Sequence, residues 1–174
     1  MSSIKKQTGF TMIEMMIVVA ILAIIASIAI PSFAVWIENT RIRTTAESIQ
    51  NGMQKARTEA LRRNTQVRFT LGFNAAWSVG CVTVTATCPA VIESRAATDG
   101  GSTNIIFTPL PAGATRLTYG GLGSRVASAT EINQLTIDSN KISASDTREL
   151  QVTVGLGGNV RTCIPNLPTD IRGC

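Results

Sequence analysis

The sequence predicts an α+β fold, with one long N-terminal helix followed by an antiparallel β-sheet domain. Residues 15–37 carry no charge over 23 positions, and residues 38–64 keep a helical spacing of apolar side chains. From residue 66 onward the apolar side chains recur at every second position, as they do in strands. The 174 residues suffice for one domain of ordinary size plus one extra element.

The apolar segment, residues 10–37, is long enough to cross a membrane. Its 23 uncharged residues extend about 34 Å as a helix, and a bilayer core is ~30 Å thick. Lys5 and Lys6 precede the segment and mark its cytoplasmic side. The alternative is a secretory signal peptide, but the apolar run is longer than such a peptide needs and contains the ionisable Glu14.

The second half of the helix, residues 38–64, is predicted to be amphipathic. One apolar stripe repeats at intervals of four and three residues and comprises Ile42, Ala46, Ile49, Met53, Ala56 and Ala60. Charged residues, including Arg57 and Glu59, fill the remaining faces, and the basic ones are interpreted as a solvated face. This half of the helix therefore needs a sheet to cover one side.

The remaining chain, residues 65–174, is predicted to form the β-rich domain. Predicted strands cover residues 66–71, 77–85, 104–108, 115–119, 134–138, 149–154 and 159–163. The glycine-rich stretch 155–158 between the last two predicts a hairpin.

The N-terminus resembles the type IV prepilin signature, on the stretch GFTMIE at residues 9–14. The resemblance implies a type IV pilin-like fold and a leader, residues 1–9, that a prepilin peptidase cleaves between Gly9 and Phe10. It also implies N-methylation of Phe10 and a helix break at Pro31, where the ring removes one backbone donor.

Glu14 has a physical reason to lie inside the apolar segment. After cleavage the amine of Phe10 is positively charged and buried near the membrane, where a single charge is expensive. Pairing with a carboxylate offsets most of that cost. In a fibre, Glu14 of one subunit is expected to pair with the Phe10 amine of its neighbour and so to set the axial register.

A second resemblance, to the GspH/FimT family, covers the whole chain. It rests on MQKARTEALRRN at residues 53–64 followed by Val67, on WSVG at 77–80, and on Gly158 followed by VRTC at 160–163. Members are minor pilins of type IV pili and the minor pseudopilin of type II secretion, and the C-terminal cysteines are most similar to FimU-type minor pilins. The implied function is priming or capping of a pilus together with other minor pilins.

The same resemblance implies the partners and the location. The partners are the major pilin and other minor pilins, the prepilin peptidase, the inner-membrane assembly platform and a tip adhesin. The chain is expected to span the bacterial inner membrane once, with its domain in the periplasm, and then to enter the pilus at the cell surface.

Four cysteines, at positions 81, 88, 163 and 174, allow three disulfide pairings. An oxidising compartment outside the cytoplasmic membrane favours disulfides. Proximity in the sequence favours Cys81 with Cys88 and Cys163 with Cys174. A zinc site is disfavoured, because the chain has no histidine and no C-x-x-C spacing.

DNA binding for natural transformation is the alternative function from a different class. FimT-like members hold the phosphate backbone with a Gly-Arg-x-Arg loop, and here the aligned residues 158–161 read GNVR. Arg161 and Arg172 are therefore the candidate DNA contacts. Removing Lys5 and Lys6 lowers the formal charge from +5 to +3, which is mild for a nucleic-acid binder.

No catalytic motif is present in the sequence. It contains no G-x-S-x-G elbow, no phosphate-binding loop and no histidine to act as a base. We therefore expect a protein that is not an enzyme and that needs neither cofactor nor metal.

Overall fold

The computed structural model describes residues 10–99, 102–165, 167 and 172–174. The chain divides into two compact units, of which the first ends at Trp36 and the second is Ile37–Cys174. A single helix, α1, covers Met12–Arg63, which is 52 residues. The α+β fold with one long N-terminal helix followed by antiparallel sheets is confirmed.

The predicted stripe of α1 is the core of the second unit. All six side chains of the stripe are fully buried, from Ile42 to Ala60. Gly52 lies within the same face, and a Cβ atom there would approach Phe69 to 2.8 Å and Trp77 to 3.0 Å. The glycine therefore allows the aromatic side chains of the sheet to pack directly on the helix.

The helix ends one residue earlier than predicted, at Arg63. Asn64 adopts a left-handed conformation with φ of 48°. The N–H of Thr65 then donates to the carbonyl of Ala60 and that of Asn64 to the carbonyl of Leu61, both at 3.3 Å. This pair of bonds is the Schellman ending, and asparagine is one of the few residues other than glycine that tolerate the conformation.

Pro31 lies inside α1, which continues on both sides of the proline. Proline lacks the N–H that would bond to the carbonyl of Ser27, four residues earlier. One missing bond does not end a helix whose neighbouring turns all keep theirs.

Eight strands follow the helix. They are β1 Val67–Leu71, β2 Trp77–Cys81, β3 Glu93–Arg95, β4 Ile105–Leu110, β5 Arg116–Tyr119, β6 Gln134–Ser139, β7 Leu150–Val154 and β8 Val160–Cys163. They form two antiparallel sheets of four strands, in the orders β3-β2-β1-β5 and β4-β6-β7-β8.

The strands correct the sequence prediction in three ways. The prediction asked for one sheet, and the structure has two, because alternation does not say which strands pair. The predicted strand 77–85 ends at Cys81, where the chain turns back to the isolated bridge between Thr85 and Cys88. Strand β3 was missed, because its three residues are too few to show alternation. The predicted hairpin at residues 155–158 is confirmed by the antiparallel pairing of β7 with β8.

The outer edge of β5 is covered by a side chain. The carboxylate of Glu131, which is buried, accepts the backbone N–H of Thr118 at 2.6 Å and the hydroxyl of Thr118 at 2.9 Å. An edge strand otherwise presents unpaired donors to other chains. Glu131 therefore satisfies the donors of Thr118, while the backbone N–H groups of Val126 and Ile132 donate to the carbonyls of Thr118 and Arg116.

Candidate functional site

The candidate assembly segment is the N-terminal part of α1, Met12 to Trp36. Thr11 precedes the helix, and its hydroxyl accepts the backbone N–H of Glu14 at 3.3 Å. Glu14 lies in the first turn, where unpaired backbone donors favour a negative charge. Gly9, the leader residues 1–9 and their lysines lie outside the described residues.

This segment exposes large apolar side chains on all sides. None of its most apolar 18-residue window is buried, and the helix is long and apolar enough to cross a membrane. The exposed large side chains here include Ile13, Met16, Ile17, Leu22, Ile25, Ile28, Phe33 and Trp36. Water disfavours such a surface strongly, so the segment needs lipid or protein around it.

Glu38 and Asn39 begin the half of the helix that belongs to the domain. The buried carboxylate of Glu38 contacts Arg41 at 2.7 Å and Lys141 at 3.5 Å. The side chain of Asn39 donates to the carbonyl of Asp146 at 2.9 Å and accepts the N–H of Arg148 at 2.7 Å. These bonds fasten the first turn of the domain helix to the segment between β6 and β7.

Glu59 is also buried, although it lies among the basic residues that the sequence interpretation placed on a solvated face. It forms ion pairs with Arg62 and Arg63, each at 2.8 Å. Burial alone would raise the pKa of Glu59, but the hydrogen bonds and charges of Arg63 and Arg62 outweigh it, so the pKa lies below its ordinary value. This cluster closes the C-terminal end of α1.

Arg57 corrects the same interpretation, because its guanidinium group joins the helix to two loops. Its Nε donates to the carbonyl of Gly123 at 3.0 Å and a terminal nitrogen donates to the carbonyl of Gly157 at 3.1 Å. Nearby Tyr119 is fully buried, and its hydroxyl has no hydrogen-bond partner among the described residues. Burial raises the pKa of Tyr119 far above its ordinary value, although the charges of Arg57 and Arg125 oppose the rise.

Sequence reasoning missed Glu38, Asn39, Arg57, Glu59 and Glu131 as structural residues. Four of the five belong to α1, and each contacts groups that are distant in the sequence or buries a charge. No local sequence pattern distinguishes them from solvated residues, because their roles depend on contacts that form only in the folded chain.

The two disulfides join Cys81 to Cys88 and Cys163 to Cys174. The first closes the loop after β2, and the second ties the C-terminal residue to the end of β8. A short parallel bridge between Ile164 and Gly173 lies beside the second disulfide. The C-terminal residues are thereby held against the edge strand β8.

The two candidate DNA contacts take part in this arrangement. Arg161 is exposed on β8, and a terminal nitrogen of its side chain donates to the carbonyl of Gly173 at 3.4 Å. The carbonyl of Arg172 accepts the N–H of Ile164 at 2.8 Å, and its side chain is exposed. The structure brings these two arginines to the same edge of the sheet.

Within the part of the chain that the structure describes, no three His, Cys, Asp or Glu side chains lie close enough together to hold a metal ion. The buried carboxylates already have partners, since Glu38 and Glu59 bind cations and Glu131 binds backbone and hydroxyl groups. These contacts give the three buried carboxylates a structural role within the domain.

Comparison with solved structures finds the same fold in a pilin. The chain is similar to two crystal forms of the type IV minor pilin FimU of Pseudomonas aeruginosa strain PAO1. In the first the TM-score is 0.54 at 15% identity, covering 75% of this chain and 97% of the other. In the second it is 0.51 at 16% identity, covering 71% and 97%. A search of the curated proteins finds no match.

Two family models match the sequence. The prokaryotic N-terminal methylation motif matches residues 4–30, which contain the predicted processing site and most of the apolar segment. The model described as type II transport protein GspH matches residues 45–158, from the buried stripe of α1 to the β7–β8 hairpin. That match covers more than half of the 174 residues. The resemblance seen in the sequence is thus confirmed, and the chain belongs to the GspH family.

Proposed function

We propose that this chain is a minor pilin that takes part in type IV pilus assembly, where it primes or caps the fibre with other minor pilins. One observation carries the proposal, which is the exposed apolar surface of Met12 to Trp36 together with a methylation motif that matches residues 4–30. A surface of this kind is stable in a membrane and in a bundle of similar helices. Processing at the motif is proposed to convert the membrane-held precursor into a subunit of such a bundle.

The proposed sequence of events begins with the precursor in the bacterial inner membrane. Prepilin peptidase cleaves between Gly9 and Phe10, and the new amine of Phe10 is methylated. The amine of one subunit then pairs with Glu14 of its neighbour as the assembly platform adds subunits. The major pilin, other minor pilins and a tip adhesin are the partners in the fibre.

The proposed role is structural rather than catalytic. The polar side chains that the structure buries, such as Glu38, Glu59 and Glu131, contact groups of the same chain and are used to hold elements together. Their arrangement supports a stable module that presents surfaces to other subunits.

The second candidate is a minor pseudopilin of type II secretion. The observation that favours it is the family model, which is described as a type II transport protein. Both roles use the same N-terminal segment, so they differ in which fibre contains the chain.

DNA uptake receives less support. The side chain of Arg161 is engaged with the carbonyl of Gly173, and the loop lacks the second arginine of the FimT-like motif. Arg161 and Arg172 supply two phosphate contacts at most, which is few for binding driven by counterion release.

Processing at Gly9 tests the proposal. Gly9→Leu should leave an unprocessed precursor in the membrane fraction and remove the chain from fibres sheared off the cell surface, whereas Thr8→Ala should be processed normally. Mass spectrometry of both fractions measures the outcome. A mature N-terminus at Ile30 or Val35 would contradict the pilin role, and normal processing with no chain in surface fibres would favour the pseudopilin.

A further inference from the structure

Three exposed leucines lie together at the C-terminal end of the domain helix. This leucine patch comprises Leu61 on the last turns of α1, Leu122 in the loop after β5, and Leu156 at the tip of the β7–β8 hairpin. Their exposed fractions are 50%, 87% and 70%. Neither the predicted function nor the packing of the domain accounts for them.

Backbone contacts place the three segments side by side. A Cβ atom on Gly123 would lie 3.0 Å from the side chain of Leu61, so the loop after β5 lies directly on the helix. The carbonyl of Leu156 accepts the N–H of Arg125 at 3.2 Å, which joins the hairpin to that loop. Arg57 bonds to both. The three leucines therefore lie on neighbouring segments at the same end of the domain.

The two turn tips share an unusual sequence. Each reads Gly-Leu-Gly, at residues 121–123 and 155–157. Turn tips normally carry polar residues, which water solvates. Adjacent exposed leucines at two tips cost solubility, and such clusters mark surfaces that another protein covers.

The charges around the patch indicate which kind of protein covers it. Residues 57–64 and 120–126 carry four arginines and one acid, Glu59, which is buried and paired. Two of these arginines form no ion pair with an acid among the described residues and belong to the patch's own contacts, since Arg57 bonds to both turns and the backbone of Arg125 bonds to the hairpin. The patch therefore has a positive border at Arg57 and Arg125. A second copy docking through the same patch would bring two positive borders together, which is unfavourable.

We infer that the leucine patch is a docking surface for a different subunit of the same assembly, one whose contact surface is apolar at its centre and carries carboxylates around it. The inference rests on the proposed function, because it looks for the partner among the subunits that assemble with this chain. DNA fits the patch poorly, since leucine side chains offer phosphate no hydrogen bond.

Crosslinking in intact cells of the native bacterium tests the inference on the full chain. A photo-crosslinking amino acid replaces Leu122 or, separately, Leu156. The matched control position is Phe73, which is 93% exposed at a turn beyond the opposite end of β1. We expect adducts from positions 122 and 156 in at least about tenfold higher yield than from position 73. Mass spectrometry should identify the partner as another chain with a methylation motif, joined through a peptide that contains apolar and acidic residues.

Several outcomes would overturn the inference. They are equal yields at the three positions, an adduct with a second copy of this chain, and adducts with lipid or nucleic acid alone. The double variant L122S/L156S gives an independent measurement, because it should reduce incorporation into sheared fibres at least about tenfold while F73S does not. Both variants should keep the thermal midpoint of the parent, since the replaced side chains are exposed. If the unmodified chain itself is absent from fibres, the proposed function fails. The identity of the crosslinked partner still tests, separately, whether the leucine patch is a docking surface.

Discussion

At the scale of single residues, two buried carboxylates help to hold the domain helix in position. Glu38 near its start and Glu59 near its end are both buried, and each is held by basic residues. Removing one member of such a set leaves the other charge buried without compensation, which is strongly destabilising. The charges of this helix therefore help to position it as well as to solvate it.

The stability of the domain should depend on pH through Glu59. Its pKa is lowered in the folded state from an ordinary value of 4.5, so its contribution is fully present above that pH and is lost as the pH falls through the folded pKa. We expect the thermal midpoint of the full chain in detergent to decrease once the pH is lowered below about 4.5.

Glu59→Gln should lower stability near neutral pH and flatten this acid dependence. Glu47→Gln is the matched control, since Glu47 forms an exposed pair with Arg43 at 2.9 Å and such pairs contribute little. An equally steep acid loss in the Glu59→Gln variant would assign the effect to another group.

Glu14 allows a second prediction at this scale. Glu14→Ala should still be processed and inserted, because the apolar segment becomes less polar. It should assemble poorly, because the Phe10 amine of a neighbouring subunit loses its partner. The amount of chain in sheared fibres relative to the membrane fraction measures this.

Thr11→Ala is the control for a purely local role of Glu14. It removes the hydroxyl that accepts the N–H of Glu14 and leaves the carboxylate in place. If Thr11→Ala reduced assembly as much as Glu14→Ala, the end of the helix rather than the charge would be responsible.

At the scale of elements, two glycine-rich turns hold the sheets to the helix. Gly123 and Gly158 have φ of 74° and 80°, which only glycine adopts without strain. A Cβ atom on Gly158 would lie 2.0 Å from the carbonyl oxygen of Gly123. The close approach of these turns is what allows one arginine, Arg57, to bond to both.

Neighbouring glycines in the hairpin provide a test of this packing. Gly158→Ala should lower the free energy of unfolding by at least about 2 kcal/mol, because it combines left-handed strain with a backbone clash. Gly157→Ala should change it by less than about 0.5 kcal/mol, because a Cβ there meets nothing within 4 Å. Thermal unfolding of the full chain in detergent separates the two variants. Equal losses of unfolding free energy in the two variants would mean that the close contact between the hairpin and the loop after β5 does not contribute to stability.

The elements also show how far the sequence leads. The stripe from Ile42 to Ala60 is predictable because a helix repeats its burial every 3.6 residues, and every member is buried. Seven of the eight strands overlap predicted ones, since half-buried strands alternate. The division into two sheets and the strand β3 depend on pairing between distant segments. The same holds for Arg57 and Glu59, whose roles come from their partners.

For the candidate site, the N-terminal segment was predictable and the leucine patch was not. Membrane-spanning length and the methylation motif are local properties, and the structure keeps residues 12–36 exposed. The leucines of the patch are far apart in the sequence and become neighbours only when the two turns pack on α1.

At the scale of the whole molecule, charge weighs against a nucleic-acid receptor. The proposed cleavage after Gly9 would remove two lysines and lower the formal charge from +5 to only +3. Several of its basic residues are committed to acids of the same chain, among them Arg41, Arg43, Arg62 and Arg63. The small net charge limits the counterions that binding to a duplex would release.

Titration against duplex DNA should therefore show weak binding that depends strongly on salt. At physiological salt we expect a dissociation constant above about 1 µM, as is usual for non-specific binding. Binding of the soluble domain of another minor pilin should be tighter under the same conditions. Arg161→Ala is the matched variant. Submicromolar DNA binding that this substitution abolishes would make uptake the primary role.

The exposed apolar half of α1 also bears on how subunits enter and leave a fibre. Lipid tails are as apolar as leucine side chains, so moving residues 12–36 from a bilayer to a helix bundle exchanges one apolar environment for another. Such an exchange gains little from the hydrophobic effect itself, so the hydrophobic effect opposes its reversal only weakly. In the proposed fibre, the direction of assembly then has to come from the proposed pair between Glu14 and a neighbouring Phe10 amine, from contacts between domains and from external work.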